Sequence, residues 1–396
     1  MGITIPITSQ STTMKILFLI FHGFSEHSGI SKKMRYQIKG LRELGHQVEV
    51  CTYDFDEQGN RIRRINEEVI QNFGKGKLAA LKGRTDFDKI TQYAIENKTE
   101  FVYIRSFHNA NPFTIQLFRK FKNAGIKIAM EIPTYPYDQE YEGFPFPTRM
   151  GIKIDQHYRH QLAALTDGIV TFTDEKRIFG QRTIRISNGV DFDHIPLRCP
   201  TNKKTNNQEI HLIGVAEVHY WHGFDRLIAG LGEYYKTGKP IIKIHFHIVG
   251  GVADSEMYNS IHAPGFKELI GKYSIAEYIH FHGQMFGEEL DNLFNQCDFA
   301  IGSLGRHRSG IDKIKTLKNR EYAARGIPFI YSETDEDFDH MPYILKATAD
   351  ESPIDIVKLL KFYQEQAWSP LEIRNSIGFL SWKNQMQKVI ETVMKP

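Results

Sequence analysis

The sequence predicts an α/β protein of two Rossmann-like domains, each with a parallel sheet. Two patterns carry this. Short, almost wholly apolar runs alternate with amphipathic segments of helical period, as parallel strands covered on both faces require. The alternation breaks at a polar stretch, "KKTNNQ" (203–208), and then begins again. The chain is long enough for both: 396 residues, 41% hydrophobic and 24% charged, can fill two cores.

The elements follow in order. Residues 1–13, "MGITIPITSQSTT", lack the charged start and long apolar stretch of a signal peptide and are expected to be a disordered extension. "KILFLIF" (15–21) is the first strand. "SKKMRYQIKGLRELG" then places Met34, Ile38, Leu41 and Leu44 on one helical face, with Gly45 as the stop. Strands are expected at 46–53, 100–107, 126–132, 167–173 and 183–190. Asn111 followed by Pro112 marks a helix start. In the second half strands are expected at 209–216, 242–250, 278–284, 298–304 and 327–332, and a helix at 223–238. Thr316 is the expected N-cap, and Gly326 the stop, of a helix before the last of these strands. Ile373, Ile377, Leu380, Met386 and Val389 supply a buried stripe for one or two closing helices. The domains are thus expected at 14–200 and 201–370, with 371–396 packing back toward the first. In such sheets ligands bind beyond the carboxyl ends of the strands, so the expected site is a cleft between the facing domains.

Composition narrows the function. A net charge of +3 leaves no electrostatic footprint for nucleic acid. Three scattered cysteines, Cys51, Cys199 and Cys297, argue against a disulfide framework and fit a reducing cytosol. No apolar run reaches the length needed to span a bilayer. The histidines of "HFH" (245–247 and 280–282) alternate on strands without a metal-ligand set, and no Ser-His-Asp elbow or Walker loop occurs. Residues 61–84 carry seven Lys or Arg against two Glu, with apolar residues between. They are expected to form a solvated helix with a basic face, and they also suit docking on anionic lipid headgroups.

Four stretches together carry a resemblance: "HSGISKKMRYQIKGLRELGHQVEVCT", "IRISNGVD" (184–191), "WHGFDRLIAGL" (221–231) and "REYAARGIPFI" (320–330). In this order and spacing the chain resembles the retaining family-four glycosyltransferases of GT-B architecture, over about residues 14–394. Three positions depart from the family pattern. Lys313 stands where the first of two glutamates is usual, while Glu321 matches the second. His222 replaces a lysine, and Glu217 an arginine.

The resemblance implies a soluble, cytoplasmic enzyme and admits peripheral contact at the inner membrane face. It would move a hexose from a nucleotide-diphosphate sugar to a glycan or lipid-linked acceptor, with retention and with no metal or other cofactor. A nucleotide-sugar epimerase of the same fold, and a non-catalytic sugar-nucleotide-binding subunit, remain alternatives. The donor's diphosphate explains an oddity of charge. Lys313, Lys315, Lys318 and Arg320 crowd the start of a helix, behind Arg306, His307 and Arg308, although a helix N-terminus already prefers anions. The diphosphate is therefore expected on the amides near Thr316 and Leu317, held by Lys318 with Arg306 and Lys313 behind it. The resemblance puts Glu321 on the ribose and lets His222 donate to phosphate, above all when protonated. Gly29 and Ser31, at a turn before the first helix, and Lys33 would face the same phosphates. "MEIPTYPYDQEYEGFP" (130–145) gathers Glu131, Tyr135, Tyr137, Asp138 and Glu140 beyond a buried strand. Tyr135, Tyr137 and Asp138 are expected to hold the acceptor. Glu131, with Arg105 and His108, is expected to activate it or to stabilise the oxocarbenium ion, or else simply to pair with Arg105.

Overall fold

The computed structural model describes residues 13–25, 29–106, 108–138, 144–200, 209–238, 240, 242–258, 264–365 and 367–395. The extension expected at 1–13, all but Thr13, lies outside these residues, as do Ser28, Glu140 and the polar stretch 203–208. Internal packing divides the chain into two units, Met1–Ser187 with Trp382–Pro396, and Asn188–Ser381.

In the first unit β1 (Lys15–Leu19) leads through α1 (Gly29–Glu43) to β2 (Gln47–Phe55). Then come β3 (Arg61–Ile65), β4 (Glu68–Gly74), α2 (Gly76–Thr85), α3 (Asp88–Glu96) and β5 (Phe101–Arg105). The chain continues with α4 (Pro112–Asn123), β6 (Lys127–Glu131), α5 (Phe146–Ala163), β7 (Gly168–Thr171), β8 (Arg177–Ile178) and β9 (Gln181–Arg185). The sheet order is β4-β3-β2-β1-β5-β6-β7-β9-β8. The strands from β2 to β9 are parallel; β3 and β4 join antiparallel at one edge, and β8 at the other. β1 and β5 are buried on both faces, which is why they read as unbroken apolar runs. The start of α4 follows from its capping chemistry. The Asn111 side chain accepts from the amides of Phe113 and Thr114, and Pro112 occupies the first turn.

Residues 61–84 correct the expectation of a single solvated helix. They form the β3–β4 pair and then most of α2. Arg63 is buried, with its guanidinium bound to the Gln71 side chain (2.9 Å) and to the carbonyls of Asp86 (2.7 Å) and Gly83 (2.9 Å). Periodicity did not reveal this because alternation and helical spacing overlap in so short a basic stretch.

The second unit holds β10 (Glu209–Val215), α6 (Phe224–Lys236), β11 (Lys243–Val249), α7 (Asp254–Met257), α8 (Phe266–Tyr273) and β12 (Ile279–Gly283). After them come α9 (Gly287–Gln296), β13 (Phe299–Ile301), α10 (Leu317–Arg325), β14 (Phe329–Tyr331), β15 (Ile344–Lys346), α11 (Ile356–Gln364) and α12 (Pro370–Ser376). All strands of its sheet, in the order β12-β11-β10-β13-β14-β15, run parallel.

The units divide at Ser187/Asn188, earlier than the expected 200/201. Val190 packs in the second core with Phe329 and Tyr322, and the Arg198 guanidinium donates to the carbonyls of Cys297 (2.6 Å) and Gly326 (3.0 Å). The closing segment divides too. Ile373, Ile377 and Leu380 are buried in the second unit. The helix α13 (Trp382–Met394) belongs to the first, where Trp382, Met386, Val389 and Val393 meet Met34, Ile38 and Leu41 of α1. No helix among the described residues is long and apolar enough to cross a membrane.

Candidate functional site

In the second unit the loops that follow β10, β13 and β14 at their carboxyl ends meet beside the start of α10. The loops lie close together. The Leu304 amide donates to the His222 carbonyl (2.8 Å), and the Ser332 amide to the Ser303 carbonyl (2.9 Å). Gly223 makes the first approach feasible. Its φ is 64°, and a Cβ there would lie 2.6 Å from the Gly305 nitrogen. The neighbour that Gly223 admits is thus the chain's own backbone.

Around this junction lie buried polar atoms with no hydrogen-bond partner among the described residues, among them atoms of Ser303, Arg306, Thr316, Lys318, Asn319 and Glu333. The orphaned atoms are Ser303 Oγ, Arg306 Nε, Thr316 Oγ1, Lys318 Nζ, both polar atoms of the Asn319 amide and both oxygens of Glu333. Buried polar groups without partners are rare, and each costs about 1–3 kcal/mol. Such a concentration marks a place built for a polar occupant. The charges act on one another. Burial pushes the Lys318 ammonium down to about 7, against the attraction of Glu333. Burial likewise raises the Glu333 carboxyl to about 7, against Lys318 and Arg306.

His222 is buried beside these cations. Burial first, then the charges of Lys318 and Arg306, holds its pKa far below the usual imidazole range. Its Nδ1 accepts from the His219 amide (3.0 Å), which leaves the proton on Nε2. This corrects the expectation of a protonated donor: His222 offers a neutral N–H. The Arg306 guanidinium lies 5.6 Å from the centre of the Trp221 ring, which is stacked in turn on His219.

The crowding of cations before α10 has a largely internal answer. Arg320 is buried and bridges Asp335 and Asp337. Lys313 Nζ lies 2.5 Å from Glu336, and Arg308 binds Asp225 (2.7 Å) and Glu351 (2.5 Å). The acidic run 333–339 thus neutralises much of the basic one. Of the cations expected on the diphosphate at α10, Lys318 and Arg306 make no carboxylate ion pair among the described residues. Thr316 stands at the N-cap of α10 but makes no side-chain cap, so its hydroxyl stays among the orphans. Leu317 is exposed. Glu321 is half-exposed and bonded to Arg325 one turn on (3.0 Å), the i,i+4 pair typical of a helix surface.

In the first unit Glu131, at the end of β6, is fully buried. It receives Arg105 and Tyr103, the Gln37 amide (2.6 Å) and, at 3.5 Å, Lys33. Burial would raise its pKa, but the neighbouring Arg105 and Lys33 outweigh this and hold the carboxyl down to about 2. Both oxygens are engaged, so Glu131 is a fixed anion that braces strand ends, the pairing with Arg105 that stood as the other expectation for it. Lys33 is likewise withdrawn from any phosphate. Its ammonium sits between Glu131 and the ring of Phe172, 3.3 Å from the ring centre. Ser31 is buried and accepts from the Ser25 amide (3.0 Å), while Gly29 is exposed in the first turn of α1.

The loop after β6 is also internally bound. The Tyr137 ring is buried and stacked on His108 at 3.7 Å, and its hydroxyl donates to Asp155 (2.6 Å). Asp138 is paired with Arg159 (2.8 Å). Burial and then Arg105 lower the His108 pKa to about 4, so that imidazole is neutral at pH 7. Of the three expected acceptor contacts Tyr135 is half-exposed and has no hydrogen-bonding or ionic partner among the described residues; it packs edge-on to Phe179.

The sequence reading missed Ser303, Asn319 and Glu333. Glu333 had a signal: it follows an apolar strand at the carboxyl end, where parallel sheets place ligands. Among the described residues no group of three or more His, Cys, Asp or Glu is arranged to hold a metal.

No protein-family model matches the chain, and no curated protein matches it in sequence. Solved structures do match. The catalytic domain of starch synthase IV from Arabidopsis thaliana, bound to ADP and acarbose, matches with a TM-score of 0.59 at 11% identity, over 97% of this chain and 99% of that one. The lipopolysaccharide outer core galactosyltransferase WaaB matches at 0.57 and 11% identity, over 96% and 99%. Sucrose-phosphate synthase from Thermosynechococcus elongatus matches at 0.53 and 14% identity, over 96% and 95%. The similarity runs through both units and nearly the whole of each chain, and it establishes that this chain has the GT-B fold.

Proposed function

We propose that the chain is a glycosyltransferase that moves a hexose from a nucleotide-diphosphate sugar to a glycan or lipid-linked acceptor, with retention and without a metal. The observation that carries this reading is the cluster of unpartnered buried polar groups around Lys318, Arg306 and Glu333, in a chain of GT-B fold. As the bond from the sugar's C1 to the diphosphate lengthens, negative charge grows on the leaving phosphate. Lys318 and Arg306, poorly solvated and unpaired, supply the compensating charge where it counts most. The Nε2–H of His222 adds a neutral donor. The acceptor hydroxyl attacks C1 from the face the diphosphate leaves, and its proton passes to the departing phosphate oxygen. Glu333 accepts hydrogen bonds from donor hydroxyls, a role for a carboxylate with two free oxygens. Peripheral contact with an anionic membrane through the exposed basic residues of α2 belongs to the same reading.

The test is a thermal-shift panel of UDP, GDP, dTDP and ADP with their sugars, followed by donor turnover. One nucleotide diphosphate should stabilise the protein, and Lys318→Ala should weaken it by roughly 10- to 100-fold, the cost of about 1.5–3 kcal/mol for a charged hydrogen bond. Stabilisation by none of them, or unchanged affinity in Lys318→Ala, rejects the site. Conversion of the donor to its epimer with no transfer rejects the reaction.

A further inference from the structure

The first unit contains a cavity of about 810 Å³ that none of the chemistry above uses. It opens beyond the carboxyl ends of β1, β2 and β5, where a parallel sheet places its ligand. Its walls come from five elements: Phe21 after β1, Phe55 at the end of β2, Leu81 of α2, Phe113 of α4, and Ile152 and Ile154 of α5. Volume and apolar lining suit a ligand of drug size or a stretch of hydrocarbon chain.

Two further observations define the occupant. The apolar lining does not end at the wall. Phe55, Leu81, Phe113 and Ile154 are exposed, and so are Leu78 on α2 and Phe146 and Met150 on α5. Monomeric proteins rarely leave so many large apolar side chains open on adjoining elements without a use. The charge of the lining is one-sided. Arg61, Arg63 and Arg84 contribute to it, against the single carboxylate of Asp54. None of the three arginines has an ion pair among the described residues. Arg63 spends its donors on neutral oxygens, and Arg61 stacks over the Phe55 ring at 4.8 Å. A hydrocarbon cavity with an excess of arginine matches an amphiphile with an anionic head.

We infer that this cavity binds the chain and the phosphate of a lipid-phosphate acceptor. The apolar chain lies along Phe21, Phe113, Ile152 and Ile154, and the phosphate faces Arg61 and Arg84. The inference rests on the glycosyl-transfer reading in taking this ligand as the acceptor, and it selects the lipid-linked class over the free glycan.

The experiment is binding of farnesyl phosphate, below its micelle concentration, to the full chain by calorimetry, with farnesol, inorganic phosphate and anionic vesicles as comparison ligands. Farnesyl phosphate should bind at micromolar concentration, and both farnesol and inorganic phosphate at least tenfold more weakly. Arg61→Ala combined with Arg84→Ala should reduce affinity at least tenfold toward that of farnesol, and Ala80→Trp, which fills the cavity, should abolish binding. Because that variant can disturb folding, Ile154→Glu at an exposed position serves as a second block and should give the same loss. Equal binding of farnesol and farnesyl phosphate overturns the inference, as does wild-type affinity in both blocked variants, or binding to vesicles with none to the monomeric lipid. Nucleotide-diphosphate affinity, measured on the same variants, should stay unchanged. Its absence in the wild type, with farnesyl phosphate still bound, would reject the donor reading and leave the cavity's ligand standing.

Discussion

Lys318 and Glu333 are the pair on which the electrostatics of the proposed donor site turns. Each is pushed by burial toward its neutral form, the lysine down to about 7 and the glutamate up to about 7. A diphosphate brought beside Lys318 opposes that shift, because an anion favours the ammonium. The same anion also favours the protonated form of Glu333. Binding should therefore be accompanied by proton uptake near neutral pH. Calorimetry in buffers of different ionisation enthalpy reads this uptake directly, and Lys318→Met should reduce it. Binding without any uptake would show that Lys318 does not meet the phosphate. Glu321 argues the other way. Bonded to Arg325 on a half-exposed helix face, it should tolerate Glu321→Gln with less than about a threefold change in nucleotide affinity, since such surface pairs are worth about 0–1 kcal/mol.

At the scale of elements, β10, β11 and β12 set five histidines on one half-open face of their sheet. His211 Nδ1 lies 3.0 Å from His247 Nε2, His245 Nδ1 3.0 Å from His280 Nε2, and His247 Nδ1 2.9 Å from His282 Nε2. Neutral imidazoles can share these contacts as donor and acceptor in turn; several imidazoliums cannot. Burial, followed by the neighbouring histidines, holds His247 down to about 3, and burial also lowers His245, His280 and His282. The sign follows. Below about pH 6.5 the unfolded chain binds protons that the folded ladder refuses, so stability is full above 6.5 and falls as pH drops through that value. At pH 5.5 His247 alone should cost about 1 kcal/mol, one pH unit being worth about 1.4 kcal/mol per proton. Urea unfolding at pH 7.5 and 5.5 should show the loss, and His247→Gln should shrink it. The strands that carry this ladder were legible in the sequence because apolar runs announce parallel strands whatever they contact. The pairing of the imidazoles was not, because it depends on register between strands far apart in sequence, Ile213 beside His247 and His247 beside His280. The same limit hid Glu333, whose significance lies in Lys318 and Arg306 standing near it, and the β3–β4 pair, whose basic residues imitate a helix surface. Capping chemistry, being local, was read correctly at Asn111, which holds the start of α4 as its sequence implies, though Thr316 takes the N-cap position of α10 without capping it; Asn111→Ala should cost about 1 kcal/mol.

For the molecule as a whole, the chain's last helix completes the first unit although it follows the second in sequence. Trp382, Met386, Val389 and Val393 are buried against α1 and the first strands. The fit is close: at Gly40 of α1 a Cβ would lie 2.8 Å from the Trp382 carbonyl carbon. The apolar spacing of the closing segment was visible in the sequence. Its division, with Leu380 in one core and Trp382 in the other, was not, because both halves share one hydrophobic pattern. The consequence is that the first unit cannot be completed from residues 1–187 alone. A chain ending at Ser381 would expose Met34, Ile38 and Leu41, and should lose its first unit to proteolysis while the second remains resistant. Met386→Ala, a milder change, should cost about 2–5 kcal/mol, since it leaves a cavity in a closed core. Its unfolding should be followed by Trp382 fluorescence in a chain whose Trp221 and Trp368 are replaced by Phe, so that the signal reports on the first unit. A truncated chain whose two units resist proteolysis equally would show that α13 merely covers the first unit, and that its core closes without it.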